Sequence, residues 1–96
     1  LPHVWLDDGT AMQDRIGYDG GYTLLRLGRS TVNVAGLRQA FADYGAPLRV
    51  LDIPDAGARE VYGRDLLLLR PDMHVAWRGN APPAAPQRLA AMVTGH

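Results

Sequence analysis

DLLLLRPDMHVAWRG, residues 65–79, decides how this chain is read. Four consecutive leucines, Leu66–Leu69, lead into Arg70-Pro71-Asp72. Arg70-Pro71-Asp72 reads as a turn, so the chain reverses here. Residues 74–77 (HVAW) then resume an apolar, β-prone run. The stretch reads as two antiparallel strands joined by a tight turn, and nothing in it looks like a reaction centre.

Upstream, YTLLRL at residues 22–27 reads as a buried strand and LRVLDI at residues 48–53 as another. Between them Val34, Leu37, Phe41 and Tyr44 recur at helical spacing. Asn33 is placed as the N-cap of that helix, Gly45 as its C-terminal stop, and Pro47 lies just beyond. A short helix from Asp55 to Tyr62 turns Ala58, Val61 and Tyr62 inward and ends at Gly63. After the hairpin, Pro82 and Pro83 mark a loop. Pro86 suits the first turn of a last helix with Leu89, Met92 and Val93 inward and Gly95 at its end. Residues 3–6 read as a short strand, and residues 10–16, with Thr10 and Gln13 at capping-box spacing, as a helical turn.

From residue 22 the order is β-α-β-α-β-β-α. A strand–helix–strand unit leaves its two strands parallel. The hairpin then adds two antiparallel strands on the other side of the first strand. The expected fold is α/β and thioredoxin-like: a mixed four-stranded sheet with helices on both faces, preceded by a short N-terminal strand and helical turn. Residues 1–96 suit one domain.

Composition excludes several functions. The 96 residues contain no cysteine, so dithiol redox work, thiolate catalysis and cysteine-based zinc sites are impossible within the chain. The absence also fits a reducing cytoplasm. Ten arginines balance ten acidic residues, lysine is absent, and the arginines are scattered. No long-range pull on nucleic acid or an anionic membrane arises. No apolar run approaches a membrane span. The chain opens at Leu1-Pro2 without an initiator methionine, which reads as a piece of a longer protein.

PHVWLDDGT, YTLLRLG and VLDIPDAGAREVYGRDLLLLRPDMHVAWRGNAPP carry a further signal. Together they resemble the C-terminal, thioredoxin-like domain of the flavin-dependent aromatic-ring hydroxylases. RPDMHVAWRG is the most specific piece. The resemblance implies a parent monooxygenase that binds FAD, takes hydride from NADH or NADPH and inserts one oxygen atom into an aromatic ring. It implies that the flavin-binding region precedes this domain in the same polypeptide, with a homodimer as a further contact. The GxGxxG fingerprint of a dinucleotide-binding loop is absent, because Gly17, Gly20 and Gly21 have the wrong spacing. No catalytic, cofactor or metal residue is therefore assigned to this chain. Where a thioredoxin places its CxxC and its cis-proline, this sequence has residues 28–33 and Arg64-Asp65. Met73 stands where a three-residue hairpin loop favours glycine, which leaves the turn type open. The alternative to the hydroxylase reading is a stand-alone, cysteine-free thioredoxin-like module that binds another protein.

The residues singled out as interface candidates are Trp5, His74 and Arg78. His74 lies close in sequence to Arg70, Asp72 and Arg78, so it is either a proton-transfer or docking group or a strand residue paired to a neighbour. Trp77, on the face away from His74, Ala76 and Arg78 and shared with Val75, is expected in the core. Trp5 is either core or an interface anchor. His3, His74 and His96 lack metal-ligand spacing. Residues 28–31 (GRST) could hold an anion on backbone N–H groups but lack a phosphate-loop lysine, and Ser30 has no triad partners in view. Arg26 and Arg70 interrupt apolar strands, and Asp52 and Asp65 are their expected partners. Asp7 and Asp8 read as turn residues.

Overall fold

The computed structural model describes residues 21–28, 32–54, 56–72 and 74–95. The N-terminal strand, the helical turn, Trp5, most of the 28–31 loop, Asp55 and Met73 lie outside the described residues. Seven elements follow in the expected order: β1 Tyr22–Leu27, α1 Ala35–Asp43, β2 Leu48–Ile53, α2 Ala56–Tyr62, β3 Leu66–Leu69, β4 Val75–Gly79 and α3 Pro86–Thr94. The sheet runs β2-β1-β3-β4, with β1 parallel to β2 and antiparallel to β3, and β3 antiparallel to β4. This is the mixed, thioredoxin-like sheet that the sequence pattern implies.

Strand β3 shows why a run of four leucines folds this way. All four are fully buried. Alternation sends Leu66 and Leu68 to one face, where they meet Leu24, Leu37, Phe41 and Leu89. Leu67 and Leu69 go to the other face, against Leu25, Leu27, Ile53, Ala58 and Tyr62. Helices α1 and α3 thus cover one face and α2 the other. Each buried leucine contributes about 2–3 kcal/mol relative to exposure, so both layers depend on this strand.

The helix ends follow from local chemistry. The Asn33 side-chain oxygen accepts from the Ala35 amide at 2.9 Å, although the backbone leaves the helix at Val34. At the other end Gly45 has φ +69°, its amide bonds the Ala42 carbonyl, and the Ala46 amide bonds that of Phe41. This paired arrangement satisfies the last carbonyls of α1. Helix α1 joins α3 through Asp43, which accepts from Gln39 and Gln87, both at 2.9 Å. Those two bonds hold the Asp43 carboxyl below its ordinary range.

Four expectations fail for physical reasons. Val61 is 57% exposed, because the short α2 buries only the stripe of Ala58 and Tyr62. Met92 is 70% exposed. The buried stripe of α3 is Leu89, Ala90 and Val93, and at about 100° per residue Met92 lies well round the helix from it. The second hairpin strand is Val75–Gly79 rather than residues 74–77. Finally, Leu68 pairs with Trp77 but Leu69 pairs with Val75, so Ala76 is the extra residue of a β-bulge. The bulge breaks the alternation, and Ala76 and Trp77 both pack toward the α1–α3 layer.

Gly28 ends β1 at φ +64°, where a Cβ would stand 2.8 Å from Cβ of Arg59 on α2. Its amide bonds the Ile53 carbonyl at 2.9 Å. Gly45 has a similar φ but open space around it. Both should lose about 1–2 kcal/mol to left-handed strain on substitution by alanine. Gly28→Ala should lose about 1–3 kcal/mol more from crowding. Urea unfolding of both variants checks this, and equal losses would show that α2 does not press on Gly28.

Candidate functional site

Three places concentrate polar side chains: the hairpin tip, the carboxyl ends of β1 and β2, and the outer side of α1.

At the tip, the Arg70 amide bonds the His74 carbonyl at 2.9 Å and closes the loop. Asp72 organises the interior of the turn. One carboxylate oxygen accepts from the His74 amide at 3.0 Å, and the other lies 3.1 Å from His74 Nδ1 and 3.6 Å from Arg70. The His74 amide, then its imidazole, then the Arg70 charge hold the Asp72 carboxyl below the ordinary range. His74 is nonetheless 75% exposed, so no pocket surrounds it to orient a substrate. Arg78 is exposed on β4, and its side chain makes no hydrogen bond or ion pair among the described residues. Four residues of strand separate it from His74, about 13 Å. The two described interface candidates therefore do not form one cluster.

Arg26 and Asp52 are register partners on β1 and β2. The guanidinium grips the carboxylate in a fork, Nε to Oδ1 at 2.6 Å and Nη2 to Oδ2 at 3.0 Å. A third donor reaches the Val32 carbonyl at 3.2 Å, so Arg26 also ties the segment leading into α1 to the sheet. Asp65 does not pair with Arg70. The whole extended β3 separates them, about 16 Å over five residues. Asp65 instead accepts from Arg59 at 2.7 Å, while its backbone joins β1 and the Asn80 side chain.

Along the outer side of α1 lie two adjoining grooves. One, about 190 Å³, is lined by Arg26, Asn33, Val34, Ala35, Arg38 and Val50. The other, about 340 Å³, shares Ala35 and Arg38 and continues past Gln39 to Ala42, Pro47 and Leu48. Arg38 and these grooves were missed in the sequence. The available signal was the spacing of Ala35, Arg38 and Ala42, which shares a stripe opposite Leu37 and Phe41.

Trp77 is half-buried. Its ring lies so close over Gly79 that a Cβ there would sit 2.7 Å from it. Tyr62, on α2, is buried against the sheet, which pushes its phenol up to about 12 and keeps it neutral. Among the described residues no group of three or more His, Asp or Glu side chains could hold a metal, and no helix is long and apolar enough to cross a membrane.

A family model described as aromatic-ring hydroxylase, C-terminal, matches residues 1–95. The chain is 34% identical over 84 residues to the FAD-dependent monooxygenase apdD of Emericella nidulans, a match covering 83% of this chain and 13% of that protein. The fold superposes on the substrate-free rebeccamycin biosynthetic enzyme RebC with a TM-score of 0.84 and 37% identity, covering 98% of this chain and 18% of the other. Aklavinone-11 hydroxylase, in a ternary complex with FAD and aklavinone, gives a TM-score of 0.71 and 26% identity, covering 99% and 20%. The chain thus spans 13 to 20% of the length of these proteins.

The tip makes a measurable prediction. The lowered Asp72 carboxyl contributes stability above its unfolded-state range, and that contribution is lost as pH falls through its folded value. His74→Ala removes the imidazole contact but keeps the amide bond. Carboxyl NMR titration should then show Asp72 moving part of the way back up. No movement would mean that the imidazole does not touch the carboxylate in solution.

Proposed function

The chain belongs to the aromatic-ring hydroxylase C-terminal family, and on that premise we propose that it serves as the accessory C-terminal domain of an FAD-dependent aromatic-ring monooxygenase. One observation carries the reading: a match across residues 1–95, in a family whose relatives here are five or more times longer than the matched segment. The parent enzyme uses FAD and NADH or NADPH in the cytoplasm, and its flavin-binding region lies earlier in the polypeptide. Residues 1–96 form a single domain that packs against that region, with Trp5, His74 and Arg78 as contacts there or in a homodimer.

The described residues, with the sequence of the β1–α1 loop, do not offer the cradle of a flavin dinucleotide. A dinucleotide cradle needs glycines where a strand turns into a helix, so that backbone amides approach the pyrophosphate. Here Gly28 is followed by Arg-Ser-Thr-Val-Asn, and Val34 buries its side chain at the start of α1. The titratable groups support a structural role equally well. Asp52, Asp65 and Asp72 each engage a neighbouring cation, and His74 stands in the open.

Two measurements test the reading. The full-length protein, read upstream of Leu1, should contain a GxGxxG-bearing strand–loop–helix and purify with flavin absorbance. It should oxidise NADH or NADPH with O₂ when an aromatic acceptor is present. The 96-residue chain alone, mixed with FAD, should leave flavin fluorescence and anisotropy unchanged. Tight flavin binding by the chain alone would overturn the placement of the cofactor upstream.

A further inference from the structure

The outer side of α1 is built to receive something. The two grooves share Ala35 and Arg38 and form one trench from Asn33 and Val50 to Pro47 and Leu48. Its length along the helix, from Ala35 to Ala42, is about 10 Å at 1.5 Å per residue. That length matches about three residues of extended chain. The walls mix apolar side chains, among them Ala35 and Ala42 on the helix and Leu48 and Val50 on β2, with the polar groups of Asn33, Gln39 and the two arginines. The small helix residues leave backbone-close space that a larger pair would fill.

The trench has one unmatched charge. Arg26 is neutralised by Asp52 and also bonds Val32. Arg38 is exposed at the junction of the two grooves; its amide bonds the Val34 carbonyl, but its guanidinium makes no ion pair or hydrogen bond among the described residues. An occupant that complements this trench carries both apolar and polar side chains, with one carboxylate near its middle. Such a pair beside a low-dielectric wall is stronger than one in open water.

We propose that the α1 trench docks an extended segment of the parent enzyme, carrying one Asp or Glu side chain against Arg38. The source follows from the length of chain outside this domain. In the relatives, at least 80% of the polypeptide lies outside the matched segment and is available to supply it. The inference rests on the proposed membership in a longer flavoenzyme. It adds which face of the domain meets the rest of the chain, and by what chemistry.

The test uses the full-length, flavin-loaded enzyme with a single thiol introduced by Ala42→Cys in the trench, or by Glu60→Cys on the exposed side of α2 as a control. Labelling is followed by peptide-resolved mass spectrometry. The trench thiol should react about tenfold or more slowly than the control, since a docked segment must open first. Arg38→Glu should bring its rate close to the control, whereas Arg38→Lys, which keeps the charge, should retain part of the protection. Equal rates in the unaltered background would overturn the inference, as would protection that ignores Arg38→Glu. Protection that vanishes on dilution would assign the trench to a second copy, and protection that needs added benzoate would assign it to a small carboxylate. Either result overturns the proposal. A full-length protein that purifies without flavin would instead remove the functional reading, and this inference with it.

Discussion

The burial of β3 on both faces is the constraint on which the rest depends. Leu66 and Leu68 are shared with α1 and α3, and Leu67 and Leu69 with α2. Neither helical layer has a sufficient core without this strand, because each contributes only a narrow apolar stripe. Strand β1 lies beside it and is similarly enclosed at Leu24, Leu25 and Leu27. The polar groups are placed around this double layer. Arg59 and Asp65 clamp α2 to the start of β3, and Gln87 and Asp43 join α3 to α1. A half-buried pair such as Arg59–Asp65 adds little to stability by itself but helps fix which elements meet.

The scaffold is thioredoxin-like without the parts that make thioredoxins reactive. On β1, Arg26 grips Asp52 of β2 in a fork and reaches the Val32 carbonyl with a third donor. A permanently charged, fully engaged arginine is a fastener, since its guanidinium cannot lose a proton at any working pH. A fold that carries different functions on different sites can lose its chemistry and keep its packing surfaces. The described residues of this domain fit that description, with ion pairs at the ends of strands and an open trench along α1.

Much of the fold was legible because the signals were local and redundant. The helical spacing of Val34, Leu37, Phe41 and Tyr44 agrees with Asn33 at one end and Gly45 at the other. The apolar strands admitted only a sheet covered on both sides. The misreadings arose where a neighbour decides exposure. Met92 and Val61 are apolar residues on short helices, and only the width of the sheet beneath determines which of them is covered. Trp77 was placed by strict alternation, which a single inserted residue at Ala76 overturns. Asp65 and Arg70 looked complementary, but an extended strand holds them apart while α2 brings Arg59 in from the other side.

Residue types by themselves determined that this chain does no thiol chemistry, that it builds an α/β layer structure with its hairpin at one edge, and that it resembles the C-terminal part of flavin-dependent hydroxylases. Those conclusions need only composition, periodicity and a specific run of residues. Tertiary structure decided the partners of each charge, the bulge at β4, the pressure of Arg59 on Gly28 and the trench beside α1. All of these depend on elements far apart in sequence meeting in space, and one-dimensional spacing carries no record of that. The hairpin that set the fold proved to be a strand shared by two cores and a tip held by Asp72.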